Sequence, residues 1–192
     1  FIPKISQSGN WINVMNSIPN PKRQQIVEYV QARLKENIIY LDTETTGISK
    51  SDEIVEISII EHDGTELFTK LVKPSQPIPR EAERIHGISN TRVASAQAWP
   101  ILWPQIRPIL YGRVIAAYNA PFDLRMMEQS HQRYRLPWRE NLEFLDVLQL
   151  FSEFRGEWDP VRSSYRFFKL AEAGRFFNIS LPNAHRSSAD AL

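Results

Sequence analysis

The apolar pattern between positions 38 and 72 constrains the fold of this 192-residue chain more than any other feature. It opens with a continuous apolar run at residues 38–41, which is typical of a strand buried on both faces. Apolar residues alternate over residues 54–61, and the pair Asp63-Gly64 is a strong signal for a two-residue hairpin turn. Residues 65–72 then form the returning strand. The pattern predicts three strands in an antiparallel meander.

Two further short strands are predicted beyond the meander, at residues 114–118 and 142–145. A helix from position 121 to about position 135 separates them, and Asp146 is placed to cap the helix that follows the second one. Strands joined through helices are normally parallel. The sequence therefore predicts an α/β domain over residues 38–192, with a mixed five-stranded sheet and helices on both faces.

Three other helices are predicted, over residues 80–86, over residues 165–177 and from position 183 or 184 onward. Residues 98–111 also carry a helical apolar pattern, but prolines interrupt it at every fourth position (Pro100, Pro104 and Pro108). An interior proline clashes with the carbonyl group four residues earlier. We therefore do not expect a straight helix in this segment.

Residues 1–37 differ from the domain that follows and are predicted to form an N-terminal helical extension. Residues 21–36 predict an amphipathic helix, because apolar residues recur at every fourth position (Ile26, Val30 and Leu34). An apolar cluster precedes it (Trp11, Ile12, Val14 and Met15). This cluster could dock on the domain or on a partner. We favour the domain, since apolar side chains must be covered somewhere.

Composition excludes several classes of protein. The chain has no cysteine, which excludes disulfides and Cys-ligated metal sites. The net charge of +1 excludes a strongly basic or acidic tail, and no apolar run approaches the 18 residues of a membrane span. We expect a cytoplasmic protein without a membrane partner. Because the chain begins at Phe1 and ends two residues after Asp190, we also expect a piece of a longer protein in which Asp190 is less firmly held.

A pair of carboxylates follows the first buried strand. Asp42 and Glu44 are two positions apart, so their side chains share one face of the strand. Two like charges this close repel each other unless a cation lies between them, and a hard divalent ion with oxygen ligands would serve. The alternative is an ordinary strand-end turn with exposed acids.

Three more candidate residues come later in the chain. Asp123 follows the fourth strand, which should place it at the same sheet edge as Asp42. The alternative is an acid stabilised in the first turn of a helix after Asn119. An unperturbed histidine has a pKa of about 6.5, which suits proton transfer near neutrality and makes His185 a candidate general base. The alternative for His185 and Asp190 is an exposed histidine and an exposed acid.

The ordered set of an Asp-x-Glu pair, a later Asp and a final His-x4-Asp resembles the DEDDh family of 3′–5′ exonucleases. That family has a ribonuclease H-like fold and includes the proofreading subunits of bacterial replicative polymerases. The resemblance extends to further segments over residues 38–192 (41–47, 71–79, 84–88, 119–123 and 185–191). It implies that four carboxylates hold two Mg²⁺ or Mn²⁺ ions (Asp42, Glu44, Asp123 and Asp190). It also implies that His185 is the general base and that nucleoside 5′-monophosphates are released.

The resemblance further suggests five residues that would grip the terminal nucleotide (Thr45, Thr46, Ile85, His86 and Phe122). The alternative for Ile85 and Phe122 is packing in the core. His86 could instead be a cation at the C-terminus of a helix. The resemblance does not place Asp146 among the metal ligands. Basic and aromatic residues between Arg125 and Arg139 could bind a single strand, but a solvated helix face and loop is the preferred interpretation.

The expected function is hydrolysis at the 3′ end of single-stranded nucleic acid, with DNA preferred over RNA. A polymerase or another DNA-processing protein is a possible partner. Two alternatives remain open from the sequence: an exoribonuclease that trims RNA, and a nucleic-acid-binding module without turnover.

Overall fold

The computed structural model describes residues 22–179, and a five-stranded sheet forms its centre. The strands are β1 (Ile38–Thr45), β2 (Ile54–Glu61), β3 (Glu66–Leu71), β4 (Val114–Ala117) and β5 (Glu143–Asp146). Their order across the sheet is β3-β2-β1-β4-β5. β1 to β3 pair antiparallel, whereas β1 with β4 and β4 with β5 pair parallel. The predicted meander and mixed sheet are confirmed.

Seven helices and a small hairpin complete the described part of the chain. The helices are α1 (Arg23–Arg33), α2 (Arg80–His86), α3 (Asn90–Val93), α4 (Trp99–Leu110), α5 (Ala120–Arg133), α6 (Val147–Arg155) and α7 (Leu170–Phe176). The hairpin consists of β6 (Trp158–Asp159) and β7 (Ser164–Tyr165). Within residues 22–179, no helix has the length and the apolar character needed to cross a membrane. The helix predicted from position 183 or 184 lies outside the described residues.

Alternation along β1 explains how both faces of the sheet are covered. Ile39 and Leu41 belong to a large core cluster with apolar residues of α4 and α5. Ile38 and Tyr40 point to the other face, where they pack near Leu150 of α6. Successive strand residues alternate between faces, so a strand buried on both sides has to be apolar throughout.

α4 runs unbroken through Pro104 and Pro108, so the predicted interruption of this helix is wrong. The prolines are spaced by four and therefore share one face of the helix, where Pro104 and Pro108 are exposed. Carbonyl groups that lose their N–H partner on this face can be hydrated. The opposite face buries the apolar residues that hold the helix on the sheet (Trp99, Leu102, Trp103, Ile106 and Leu110).

The helix predicted over residues 165–177 is shorter, because its first part belongs to a hairpin. The backbone N–H of Arg166 donates to the carbonyl of Glu157 (2.7 Å), which extends the β6–β7 ladder past Tyr165. The side chain of Glu172 then accepts from the backbone N–H of Lys169 (2.9 Å) and fixes the start of α7. The sequence pattern alone did not indicate this hairpin.

α1 confirms the helix predicted in the N-terminal extension, although its contacts differ from the prediction. Ile26 is buried, but Leu34 is exposed. Arg23 is also buried, and its Nε donates to the carbonyl of Phe154 in α6 (3.1 Å). The guanidinium lies 4.9 Å from the centre of the Phe154 ring. The apolar cluster predicted to dock lies outside the described residues, and the boundary at position 37 stays a prediction.

Candidate active site

β1 positions the first two candidate ligands side by side. Asp42 and Glu44 are half-buried and point to one face, while Thr43 between them is buried on the other. In the register with β2, Asp42 lies opposite Ser58 and Glu44 lies opposite Glu56. Glu56 is itself buried. Glu56 is an additional carboxylate next to the predicted site that was not among the predicted residues, although its place in an alternating strand could have indicated it.

Asp123 reaches the same sheet edge from the first turn of α5, as predicted. Its Oδ1 accepts a hydrogen bond from the Thr43 hydroxyl (2.7 Å), and only 2% of the residue is exposed. Burial raises the pKa of Asp123 to about 7, and the negative charge of Asp146 adds to this, while the bond from Thr43 opposes it. A nearby cation would favour the ionised form of this carboxyl.

A left-handed turn at Asn119 carries the chain from β4 into α5 (φ 69°). Asparagine tolerates this conformation better than most residues. The side chain of Asn119 makes no capping bond, but its backbone N–H donates to Oδ1 of Asp146 (3.1 Å). The same oxygen accepts from the N–H of Leu148 (3.1 Å). Asp146 therefore caps α6 as predicted and also holds the turn that leads to Asp123.

The loop after β1 closes around Asp52. Oδ1 of Asp52 accepts from the Thr46 hydroxyl (2.9 Å), and Oδ2 accepts from the backbone N–H of Ser49 (2.6 Å). The N–H of Glu53 donates to the hydroxyl oxygen of Thr46 (3.0 Å). A Cβ at Gly47 would lie 2.6 Å from Oδ2 of Asp52. The close approach of this carboxylate therefore requires glycine at position 47.

Two side chains of α5 hold this loop against the helix. Nη2 of Arg125 donates to the carbonyl of Ile48 (3.4 Å). Nε2 of Gln129 donates to the carbonyls of Ser49 (3.1 Å) and Asp52 (3.0 Å). Arg125 also donates to Oε1 of Gln129 (2.7 Å), as residues four apart on a helix can. These contacts were not predicted, because the sequence pattern of α5 does not show which loop the helix faces.

The hydroxyl groups of the two threonines predicted to grip a nucleotide are engaged within the loop. Thr45 donates to the carbonyl of Gly47 (2.7 Å), and Thr46 donates to Asp52. Both side chains are buried. In this arrangement the two hydroxyl groups shape the loop.

The other residues that were predicted to contact the terminal nucleotide differ in how far their side chains are exposed. Ile85 is 60% exposed, so the alternative of core packing is wrong for this residue. Phe122 is half-buried against the core, and the Arg125 guanidinium lies 5.2 Å from its ring centre. His86 is buried, and its Nδ1 accepts from the backbone N–H of Ile88 (3.0 Å). A ring nitrogen that accepts carries no proton, which argues against the alternative of a histidine cation.

The aromatic residues that follow Arg125 do not form an exposed strip. His131 is buried, and its Nδ1 accepts from the indole N–H of Trp99 (3.1 Å). The ring of Trp138 meets His131 edge-on at 4.7 Å. Desolvation lowers the pKa of His131, which favours the neutral ring. These rings belong to the core, so they are not available to stack on a single strand.

The donor set suits a hard divalent ion, but the described part of the chain does not complete a site. Asp42, Glu44 and Asp123 offer only carboxylate oxygens, which such ions prefer. Asp123 is buried with a raised pKa, so a cation would stabilise its charge. Within residues 22–179, no three acidic or histidine side chains lie close enough together to hold a metal ion. Asp190 and His185, the other predicted members, lie outside the described residues.

The known proteins that are similar to this chain include proteins named as exonucleases. A family model described as exonuclease matches residues 39–192. The uncharacterized exonuclease CP81 of Escherichia phage 186 is 35% identical over 164 residues, which are 82% of this chain and 84% of the phage protein. The 3′-5′ exonuclease DinG of Bacillus subtilis (strain 168) is 29% identical over 165 residues, which are 82% of this chain but 16% of DinG.

Solved structures share the fold. E. coli exonuclease I in complex with a dT13 oligonucleotide matches with a TM-score of 0.64 and 17% identity, over 81% of this chain and 39% of that chain. Exonuclease X in complex with 5′ overhanging duplex DNA matches with a TM-score of 0.60 and 23% identity, over 80% of this chain and 84% of that chain. At such identities the likeness establishes the shared fold.

Proposed function

Because the chain belongs to the exonuclease family, we propose that it removes nucleotides from the 3′ end of single-stranded DNA and releases nucleoside 5′-monophosphates. The observation that carries the proposal is the position of Asp123. The buried carboxyl of Asp123 accepts a hydrogen bond from Thr43 (2.7 Å), which lies between Asp42 and Glu44 on β1 but points to the opposite face. This position supports the proposal, because all three acids lie near the carboxyl-terminal edge of the parallel strands, where α/β folds place their sites.

DNA is the preferred substrate in this proposal. Exonuclease I and exonuclease X, which share the fold, are solved with a dT13 oligonucleotide and with 5′ overhanging duplex DNA. These ligands belong to those proteins, and they favour a DNA strand as the first substrate to test here. A cytoplasmic location and a polymerase partner remain predictions.

The proposed roles divide the site between ions and side chains. Asp42, Glu44, Asp123 and Asp190 would hold two Mg²⁺ or Mn²⁺ ions. When bound, such ions offset the charge of the phosphate and favour ionisation of the attacking water. His185 would accept the proton of that water. The loop with Thr45 and Thr46, together with Ile85, His86 and Phe122, would hold the terminal nucleotide.

Digestion of end-labelled oligonucleotides tests the proposal. We expect a 5′-labelled single strand to shorten stepwise with Mg²⁺ or Mn²⁺, while a 3′ label is released as a mononucleotide. Asp42→Asn should lower the rate by at least about a hundredfold, since it removes a ligand. Asp63→Asn is a matched control, because it removes an exposed carboxylate from a turn that Asn-Gly also favours. Shortening that Asp42→Asn leaves unchanged would refute the proposal.

Matched DNA and RNA oligomers distinguish the main alternative. Only RNA carries the 2′-hydroxyl, so faster shortening of RNA would indicate an exoribonuclease. Binding of nucleotide and metal ion without any hydrolysis, measured by calorimetry, would indicate a binding module instead.

A further inference from the structure

The hairpin between α6 and α7 carries three aromatic side chains on one face. Trp158 lies opposite Tyr165 in the β6–β7 register, with ring centres 5.4 Å apart. Phe167 follows Tyr165 by two residues, and the bond from the N–H of Arg166 to the carbonyl of Glu157 extends the ladder as far as Arg166. Residues two apart on an extended chain point to the same side. We call Trp158, Tyr165 and Phe167 the aromatic face.

Two rings of the aromatic face are open to solvent and that of Tyr165 is half-buried, although the residue next to the face is firmly packed. Trp158 is 58% exposed and Phe167 is 62% exposed. Phe168, on the opposite side of the chain, is buried and meets the ring of Phe151 edge-on at 5.3 Å. The guanidinium of Arg155 lies 4.7 Å from the centre of the Phe168 ring. A packed Phe168 fixes the backbone and thereby holds the side chain of Phe167 outward.

The aromatic face is tied to the edge of the sheet that bears the candidate site. The hydroxyl of Tyr118 donates to the carbonyl of Phe168 (2.8 Å). Burial raises the pKa of Tyr118 to about 12, with the charges of Glu172 and Asp146 adding to it, so the hydroxyl keeps its proton. Tyr118 directly precedes the turn at Asn119 that leads to Asp123. This bond attaches the backbone next to Phe167 to the strand end that leads into α5.

The charge around the aromatic face is positive. Residues 155–169 contain four basic side chains (Arg155, Arg162, Arg166 and Lys169) and two acidic ones (Glu157 and Asp159). Both acids take part in ion pairs: Glu157 with Arg166 (3.1 Å) and with Arg155, and Asp159 with Arg162 (3.8 Å). Arg166 also pairs with Glu172 (3.2 Å), and both Arg155 and Arg166 lie over the Phe168 ring on the other side of the chain. The cation that lies at the aromatic face is Lys22, just before α1, whose Nζ is 5.7 Å from the centre of the Tyr165 ring.

We propose that the aromatic face is a stacking platform for a single-stranded nucleic acid, with Phe167 as its main contact. It would hold nucleotides on the 5′ side of the one that is cleaved, so it rests on the proposed function. Stacking on aromatic rings tolerates any base, and an enzyme that shortens a strand of arbitrary sequence needs such tolerance. The positive charge favours a phosphate backbone over a protein surface as the occupant.

Binding of fluorescent oligomers in EDTA tests the platform without requiring hydrolysis. The full chain is titrated with a short oligothymidylate and with an abasic oligomer of equal length, which carries the phosphates but no bases. We expect the wild type to prefer the oligomer with bases. Phe167→Ala should weaken binding of the oligothymidylate at least about fivefold and abolish the preference for the oligomer with bases. Phe167→Trp should restore the affinity and the preference.

Val161→Ala provides the matched control. Val161 is 93% exposed in the same hairpin but has no ring, so its variant should bind both oligomers like the wild type. Equal binding of the two oligomers by the wild type would overturn the platform. That result is expected if the aromatic face binds a protein instead of bases. Unchanged binding by Phe167→Ala would also overturn it. A wild type that binds bases through Phe167 but never shortens the strand would support the platform and refute the proposed function.

Discussion

The carboxyl of Asp123 shows how one buried residue can couple stability to the expected chemistry. It is enclosed beside β1 with the Thr43 hydroxyl as a hydrogen-bond donor, and burial raises its pKa to about 7. An acid with a raised pKa binds more protons in the folded state than in the unfolded state. The free energy of unfolding is therefore highest below pH 4 as far as this group is concerned, and it falls as the pH rises towards 7.

Asp123→Asn should stabilise the metal-free protein at high pH. The amide has nearly the same shape and can still accept from Thr43, but it never ionises. Each pKa unit corresponds to about 1.4 kcal/mol, so we expect a gain of roughly 2–4 kcal/mol at pH 8. The gain should shrink towards pH 5. Urea unfolding in EDTA across this range measures it, and a difference independent of pH would contradict the buried-carboxylate interpretation.

At the scale of residues, the sequence predicted the positions of the candidate ligands in the fold better than it predicted their surroundings. The positions of Asp42 and Glu44 follow from strand alternation, and that of Asp123 follows from its place after a parallel strand. The bond between Thr43 and Asp123 and the buried Glu56 depend on side-chain packing across strands and helices. No local pattern encodes such contacts.

The loop after β1 is the element that joins the carboxylate strand to α5. Thr46, Ser49 and Asp52 form its internal hydrogen bonds, and Arg125 and Gln129 attach it to the helix. Gly47 is enclosed where the Asp52 carboxylate approaches most closely. The geometry of the loop therefore depends on one small residue and one acid.

Gly47→Ala should lower the free energy of unfolding by about 1–3 kcal/mol, because the new Cβ would lie 2.6 Å from a carboxylate oxygen that cannot easily move away. Asp52→Ala on its own should also destabilise the loop, since it removes the acceptor for Thr46 and Ser49. The double variant Gly47→Ala/Asp52→Ala should cost less than the two changes added together. Urea unfolding of all four proteins measures this, and simple additivity would show that the contact is not responsible.

Helices and strands could be predicted where the local sequence determines them. They could not be predicted where packing against other parts of the fold determines them. β1 to β5 and α2 follow from apolar periodicity and from Gly87, which ends α2 in a left-handed conformation. α4 tolerates its prolines because its other face is anchored in the core. The β6–β7 hairpin replaces the first turns of a predicted helix because its ladder also pairs Arg166 with Glu157.

For the molecule as a whole, the order of motifs along the chain was sufficient to predict the fold and the family. The ribonuclease H-like sheet and the membership of the 3′–5′ exonucleases are confirmed. Order is a property of the sequence itself, so it can be read without coordinates. The arrangement of the N-terminal extension could not be read in this way, since it depends on which surface of the domain receives α1.

The contact between Arg23 and α6 should determine how firmly α1 is held on the domain. Arg23 is buried, and its guanidinium meets both the carbonyl and the ring of Phe154. We expect Arg23→Ala to raise the rate of amide hydrogen exchange in α1 at least about fivefold, because local opening becomes easier, while exchange in β1 stays unchanged. Lys35→Ala, at an exposed position just after the helix, is the control. Exchange in α1 at equal rates in the wild type and both variants would show that this contact does not hold the extension.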